Sequence, residues 1–224
     1  MNDIKFTEAV KTVLLKYKSP GCCPDQFVGE VIVGAGSITS PSSNNENTDF
    51  AERKNIDSWS RRGSQAVFLI LESPHIDEYV GEIGPAKGVT GENIRRLFGE
   101  ACSLSQYLQE NTYPLVLVNA VQYQCSLGHP TKYFRDRIFA EVWKHGGKND
   151  FQERIESMYS EGDLIINACT TGSEKIKNWE LVKFALEEIS LTYVKVEHPS
   201  NWARRKNIAI KSGLSPSYGW NAKN

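Results

Sequence analysis

The apolar positions fall into four short runs, VFLIL (67–71), PLVLVNAV (114–121), DLIINA (163–168) and LTYVKVE (191–197), separated by longer stretches with helical spacing. Each run is too short for a core helix, rich in β-branched residues and bounded by turn residues, so each predicts a buried strand. Residues 92–108, 133–145, 150–159 and a segment running from TTGSEKIKN to Glu188 predict helices. Strands alternating with helices predict an α/β fold: an α/β/α sandwich around a central, mostly parallel, four-stranded sheet. Upstream, MNDIKFTEAVKTVLLKY predicts an amphipathic helix with Ile4, Phe6, Ala9, Val10, Val13 and Leu14 apolar. SPGCCPD is a turn-rich break, and FVGEVIVGAGS reads as a strand or as a short hydrophobic segment beside a glycine-rich turn. Residues 37–55 are polar and turn-rich and predict an exposed loop. The expected organisation is one domain, with 1–60 a helix-and-loop elaboration and 65–206 the core.

In an open parallel sheet, catalytic groups gather beyond the C-terminal ends of the strands. The first run empties into Glu72, Ser73, His75, Asp77 and Glu78, then Gly81, Gly84, Gly88 and Gly91. Glu72 directly follows the apolar run, where a carboxylate is costly without a partner or a task. Carboxylates here can orient or activate water, or stabilise positive charge. Asp77 and Glu78 equally suit capping a turn or a helix start. Asn119 lies inside the second run, where its amide could read a base edge or satisfy loop backbone. The fourth run meets His198, which can donate to a developing oxyanion while Pro199 stiffens the loop. Ser200, Asn201 and Trp202 follow, then Arg204, Arg205 and Lys206; an aromatic beside a basic cluster suits a wedge-and-phosphate surface.

Charge narrows the partners. The net charge of −1 over 224 residues excludes a generic polyanion binder. DNA contact would need local patches, for which Arg61–Arg62, Arg95–Arg96, Arg135 with Arg137, and 204–206 are candidates. No apolar run approaches the roughly 20 residues of a membrane span. The N-terminus mixes charges through its apolar positions, unlike a secretory signal, so a cytoplasmic protein is expected. The five cysteines include no C-x2-C pair and read as structural thiols. GAGS lacks the spaced glycines of a dinucleotide fingerprint.

Over residues 67–206 the blocks resemble, in order and spacing, the uracil-DNA glycosylase superfamily. LESPHIDE followed by GPAKGVTG resembles the family's first motif, GEAPGxxE then GxPFVGxxG in its cluster-bearing branches. LVLVNAV resembles the strand ending in the base-reading asparagine, DLIINACTTGSEKI the strand and turn before the penultimate helix, and VKVEHPSNWARRKN the last motif. The resemblance implies a monomeric enzyme acting on DNA with no metal, organic cofactor or obligatory protein partner. Such enzymes flip a nucleotide from the duplex and hydrolyse its N-glycosidic bond through an oxocarbenium-like state. It implies Glu72 as the water-positioning acid with Asp77 beside it, Asn119 as base reader with Ser73, His75 and Ala86 around the base, and His198 stabilising the departing base. Gly88, Thr90, Gly91, Ser200 and Asn201 would hold the DNA backbone, Trp202 would fill the gap in the stack, and Arg204 and Arg205 would add charge.

The departures bear on the substrate. Ser73 replaces an Asp or Asn, Ala86 stands where the family often stacks a Phe, and His75 where it often has Gly or Tyr. The cysteine pattern of the iron–sulfur branches is absent. A roomier pocket and a modified or damaged pyrimidine are therefore expected, with a bulky modified cytosine of phage DNA, and hence antiviral defence, as the leading case. A uracil-excising repair enzyme is the alternative. A non-catalytic DNA- or protein-binding module on the same fold and a hydrolase of free nucleosides or nucleotides are the rival classes.

Overall fold

A computed structural model describes residues 21–34, 37–39, 49–50, 52–61, 63–102, 104–125, 135–173 and 177–205. The expected N-terminal helix, residues 40–48 and 51 of the expected 37–55 loop, Arg62 and Lys206 lie outside the described residues. The strands are β1 (Gln26–Gly34), β2 (Ser37–Thr39), β3 (Lys54–Asn55), β4 (Val67–Leu71), β5 (Asn111–Asn119), β6 (Leu164–Asn167) and β7 (Val194–Lys195). The helices are α1 (Gly88–Cys102), α2 (Arg135–Val142), α3 (Lys148–Met158) and α4 (Asn178–Glu188). No helix among the described residues is long and apolar enough to cross a membrane.

All five residues of β4 are buried, as a strand covered on both faces must be. It pairs in parallel with β5 on one side and β6 on the other, and β6 continues in parallel to β7. The register sets Leu71 opposite Asn119 and Ile70 opposite Asn167. Strand alternation sorts the interior into two cores. Leu69, Leu71, Leu115 and Leu117 pack with Ile94 and Phe98 of α1. Phe68, Ile70, Val116 and Val118 pack with Phe139, Phe151, Ile155, Val182 and Leu186 of α2, α3 and α4. The α/β class and helices on both faces follow from the sequence pattern.

The sheet differs from the four-stranded, mostly parallel one expected. It is mixed, running β2-β1-β5-β4-β6-β7, with β3 also pairing β1. β1 is antiparallel to β5, with an irregularity between Phe27 and Glu30, and β2 and β3 pair with it antiparallel near its opposite ends. Segment 26–55 thus supplies three strands, and Phe50 within the expected exposed loop is buried. The strand reading of FVGEVIVGAGS holds as β1, but its place in the sheet was concealed because β3 is two exposed residues and β1 pairs with β5 at 78 to 91 positions' distance. At the other edge β7 is only two residues, and helix α1 starts at Gly88, ahead of the expected Glu92.

Candidate functional site

The C-terminal ends of β4, β5 and β7 bring Glu72, Asn119 and His198 to one edge of the sheet, but their side chains do not share one set of contacts. Glu72 continues the row of Phe68 and Ile70 toward α2 and α4. Asn119 continues the row of Leu115 and Leu117 toward α1. Two buried clusters result, with a histidine turn beside them.

Glu72 is 3% exposed. Thr170 donates its hydroxyl to Oε2, and Asn178, the first residue of α4, also hydrogen bonds the carboxylate. Arg135 Nε lies 2.9 Å from Oε1, but its N–H is directed at Asp136 Oδ1, 3.0 Å away. Asn178 Nδ2 holds the same Asp136 oxygen at 2.9 Å. Oε1 is therefore ion-paired yet receives no directed hydrogen bond among the described residues. Burial raises the Glu72 pKa, and the Arg135 charge opposes that shift. Ser73 leaves this cluster and hydrogen bonds Cys125.

The next turn, Ile76–Tyr79, reverses the expected order of importance of its acids. Asp77 is 57% exposed and sits with exposed His75, whose Nδ1 accepts from the Asp77 N–H at 3.4 Å. These two cap the turn, and neither joins the Glu72 cluster. The side chain that turns inward is Glu78, 4% exposed. It collects hydrogen bonds from the Ala86 and His75 backbone N–H groups and from Asn119, with the Cys23 thiol donating at 3.9 Å. Burial outweighs these donors and pushes Glu78 up to about 8.

Asn119 is 1% exposed, and its Nδ2 donates to Cys23 Sγ at 3.6 Å. Its Oδ1 is buried and finds no hydrogen-bond partner among the described residues. A buried amide oxygen left so costs about 1–3 kcal/mol, which a ligand N–H would recover. The strand end itself is braced. Asp25 Oδ1 accepts the Asn119 N–H at 3.2 Å, and Asp25 pairs with Arg154. Arg154 Nη2 also donates to the Asn119 and Ala120 carbonyls at 3.1 and 3.3 Å.

His198 caps the turn Pro199–Asn201. Its Nδ1 accepts from the Ser200 N–H at 3.3 Å and lies 2.9 Å from Ser200 Oγ. With Nδ1 as acceptor, the neutral ring carries its proton on Nε2. Burial, then the Arg135 and Lys195 charges, push His198 down to about 3, so it is neutral at physiological pH. Lys195, whose Nζ donates to the Cys169 and Val196 carbonyls at 2.9 and 2.7 Å, is pushed by burial down to about 8.

Several expected DNA contacts need correcting. Trp202 is 1% exposed, lies against Phe98 and donates its Nε1–H to the Glu197 carbonyl at 2.7 Å. It is a core residue and is not available to fill a gap between bases. The Ala86 methyl is buried in the core beside α1, at φ 54°, so it does not widen an open pocket. Gly91 is needed for packing: a Cβ there would collide with the Ala86 carbonyl. Arg61 pairs with Asp163, Arg95 is buried and Arg135 serves Glu72. Gly88, Thr90, Ser200, Asn201 and Arg204 keep exposed or half-buried positions, and the Arg205 side chain is outside the description.

Sequence reasoning missed the groups that hold the site together: Thr170, Asn178, the pairing role of Arg135, and the Asp25–Arg154 brace. Among the described residues, no three His, Cys, Asp or Glu side chains are grouped to hold a metal ion. Chemically, the edge offers a carboxylate with one oxygen ion-paired but not hydrogen bonded, a neutral histidine N–H donor and an amide oxygen without a partner among the described residues. No family model, curated protein or solved structure matches the chain.

Proposed function

We propose that this chain is a DNA glycosylase that flips a modified or damaged pyrimidine out of DNA, hydrolyses its N-glycosidic bond and leaves an abasic site. The observation that carries the reading is Glu72, whose Oε2 is fixed by Thr170 while Oε1 has no directed donor among the described residues. A carboxylate held this way can orient one water. As the bond from C1′ to the base lengthens, positive charge develops on the sugar and the electron pair leaves with the base. The Glu72-held water then adds to C1′ and gives up one proton to the Glu72 carboxylate. Neutral His198, with its proton on Nε2, donates to an oxygen of the departing base. Strands β4–β7 form the uracil-DNA glycosylase-like core of this reading, and β1–β3 are an addition to it.

The test is alkali-induced strand breakage and mass spectrometry of the released base, on duplexes carrying uracil, mismatches or modified cytosines. Glu72→Gln and His198→Gln should each slow release by at least about 100-fold without altering circular dichroism. Full activity in folded Glu72→Gln would sink the reading. The internal use of Arg61, Arg95 and Arg135 favours, as second reading, a hydrolase of free nucleosides or nucleotides. That enzyme would cleave the monomers and be indifferent to Arg204→Ala, which should weaken a DNA enzyme and flatten its salt dependence.

A further inference from the structure

We propose that Glu78 and Cys23 fix the Asn119 amide with its nitrogen turned into the protein and its oxygen presented to the substrate, so that the base accepted carries an amino group at C4 and not a carbonyl. The inference rests on the glycosylase reading and adds to it the class of base and two positioning residues.

An asparagine amide normally shows a ligand both a donor and an acceptor. Here Cys23 Sγ takes one Nδ2 hydrogen at 3.6 Å, and Glu78 accepts from the same side chain. The sense of the amide follows from those neighbours. Turned the other way, Nδ2 would lose both the Cys23 and the Glu78 acceptors. Nor can the amide be carried away by its backbone, which Asp25 and Arg154 hold on both the N–H and the carbonyl. What remains for a ligand is Oδ1, buried and without a partner among the described residues.

An acceptor with no donor beside it distinguishes pyrimidines by their C4 substituent. A 4-amino base offers N–H to Oδ1. A 4-keto base brings O4 to a place where both amide hydrogens are already used, leaving a buried carbonyl unsatisfied. Because the Ala86 methyl faces the core, selectivity for a cytosine-type base rests on Asn119 and not on extra room at Ala86.

The test uses the full chain and oligonucleotides differing only at C4: cytosine against uracil, and 5-hydroxymethylcytosine, free or glucosylated, against 5-hydroxymethyluracil. Released base is identified by mass spectrometry. Wild type should release at least one 4-amino base about 100-fold or more faster than its 4-keto partner. Glu78→Leu, which cannot accept from Nδ2, should cut that ratio at least about tenfold, and Glu78→Gln, which still can, should restore it. Equal or faster release of the keto base by wild type overturns the inference and leaves the glycosylase reading standing. An unchanged ratio in folded Glu78→Leu overturns the role of Glu78. Should that variant fail to fold, the wild-type ratio and Cys23→Ala decide the matter. No release from any substrate overturns both readings.

Discussion

Glu72 and Glu78 lie six positions apart, are almost equally buried, and are kept inside by different means. Glu72 has a cation against it, Arg135, and a hydroxyl donor, Thr170. Glu78 has only neutral donors in contact; Arg53 acts on it through its charge, its Nε and Nη1 N–H groups being directed at Asp49, Gln26 and the Pro85 carbonyl. Burial raises both acids; the Arg135 charge opposes the shift directly at Glu72, whereas Glu78, without a cation in contact, is pushed up to about 8. One cluster thus holds an acid with a cation against it and the other a mostly neutral acid. That division suits water activation on one side of the sheet and reading of a neutral base on the other.

The contrast can be broken most forcefully at Arg135. Arg135→Met leaves a buried carboxylate without its counter-charge and should cost about 3–5 kcal/mol in urea denaturation at pH 7. A loss below about 1 kcal/mol would show that the ion pair does not distinguish the two acids.

The next largest effect is a pH slope. The folded pKa of Glu78 stands above its unfolded value, so its contribution is full below about 4.5 and is lost as pH rises through about 8. Wild-type stability should therefore fall by about 3 kcal/mol relative to Glu78→Gln between pH 5 and 8. Parallel curves would place the proton elsewhere. His198 gives the opposite slope, because its folded pKa of about 3 lies below its unfolded 6.5. Its contribution is present above 6.5 and is lost as pH falls toward 3, so His198→Gln should flatten the acid limb by about 1–2 kcal/mol between pH 7 and 5. Base release should likewise show no histidine step near 6.5.

The smallest effects sharpen the comparison. Thr170→Val removes a donor from the acid that faces Arg135 and should cost about 1.5 kcal/mol. Cys23→Ala removes weak sulfur contacts from a mostly neutral one and should cost about 1 kcal/mol or less. Thermal melts of both variants would rank them, and a reversed order would mean that the Cys23 contacts hold Glu78 more strongly than the Thr170 hydroxyl holds Glu72.

The four buried runs were legible because each strand of a covered parallel sheet must be apolar throughout, and they led directly to Glu72, Asn119 and His198. Short-range pattern could not show that Arg135 reaches back to Glu72, or that Asp25 braces Asn119 through Arg154, since those contacts span 63 to 129 positions. The same limit misplaced Trp202. Its neighbours Arg204 and Arg205 suggested a surface, whereas its partner, Phe98, lies on α1. Glu78 was distinguishable from Asp77 only by direction: in a 3-10 turn successive side chains are rotated by about 120°, and here that rotation turns Glu78 inward and Asp77 out.

The histidine turn hangs from a strand of two residues, yet its attachments lie elsewhere. Asn93 of α1 donates to the Pro199 carbonyl at 2.8 Å, and Trp202 seals the turn against Phe98 of the same helix. Local opening is governed by such tertiary contacts more than by strand length. The amides of Asn201 and Trp202 should therefore exchange with solvent in step with α1, while those of β7 exchange sooner. Fraying at that margin of the sheet would leave the imidazole in register with the helix that anchors it.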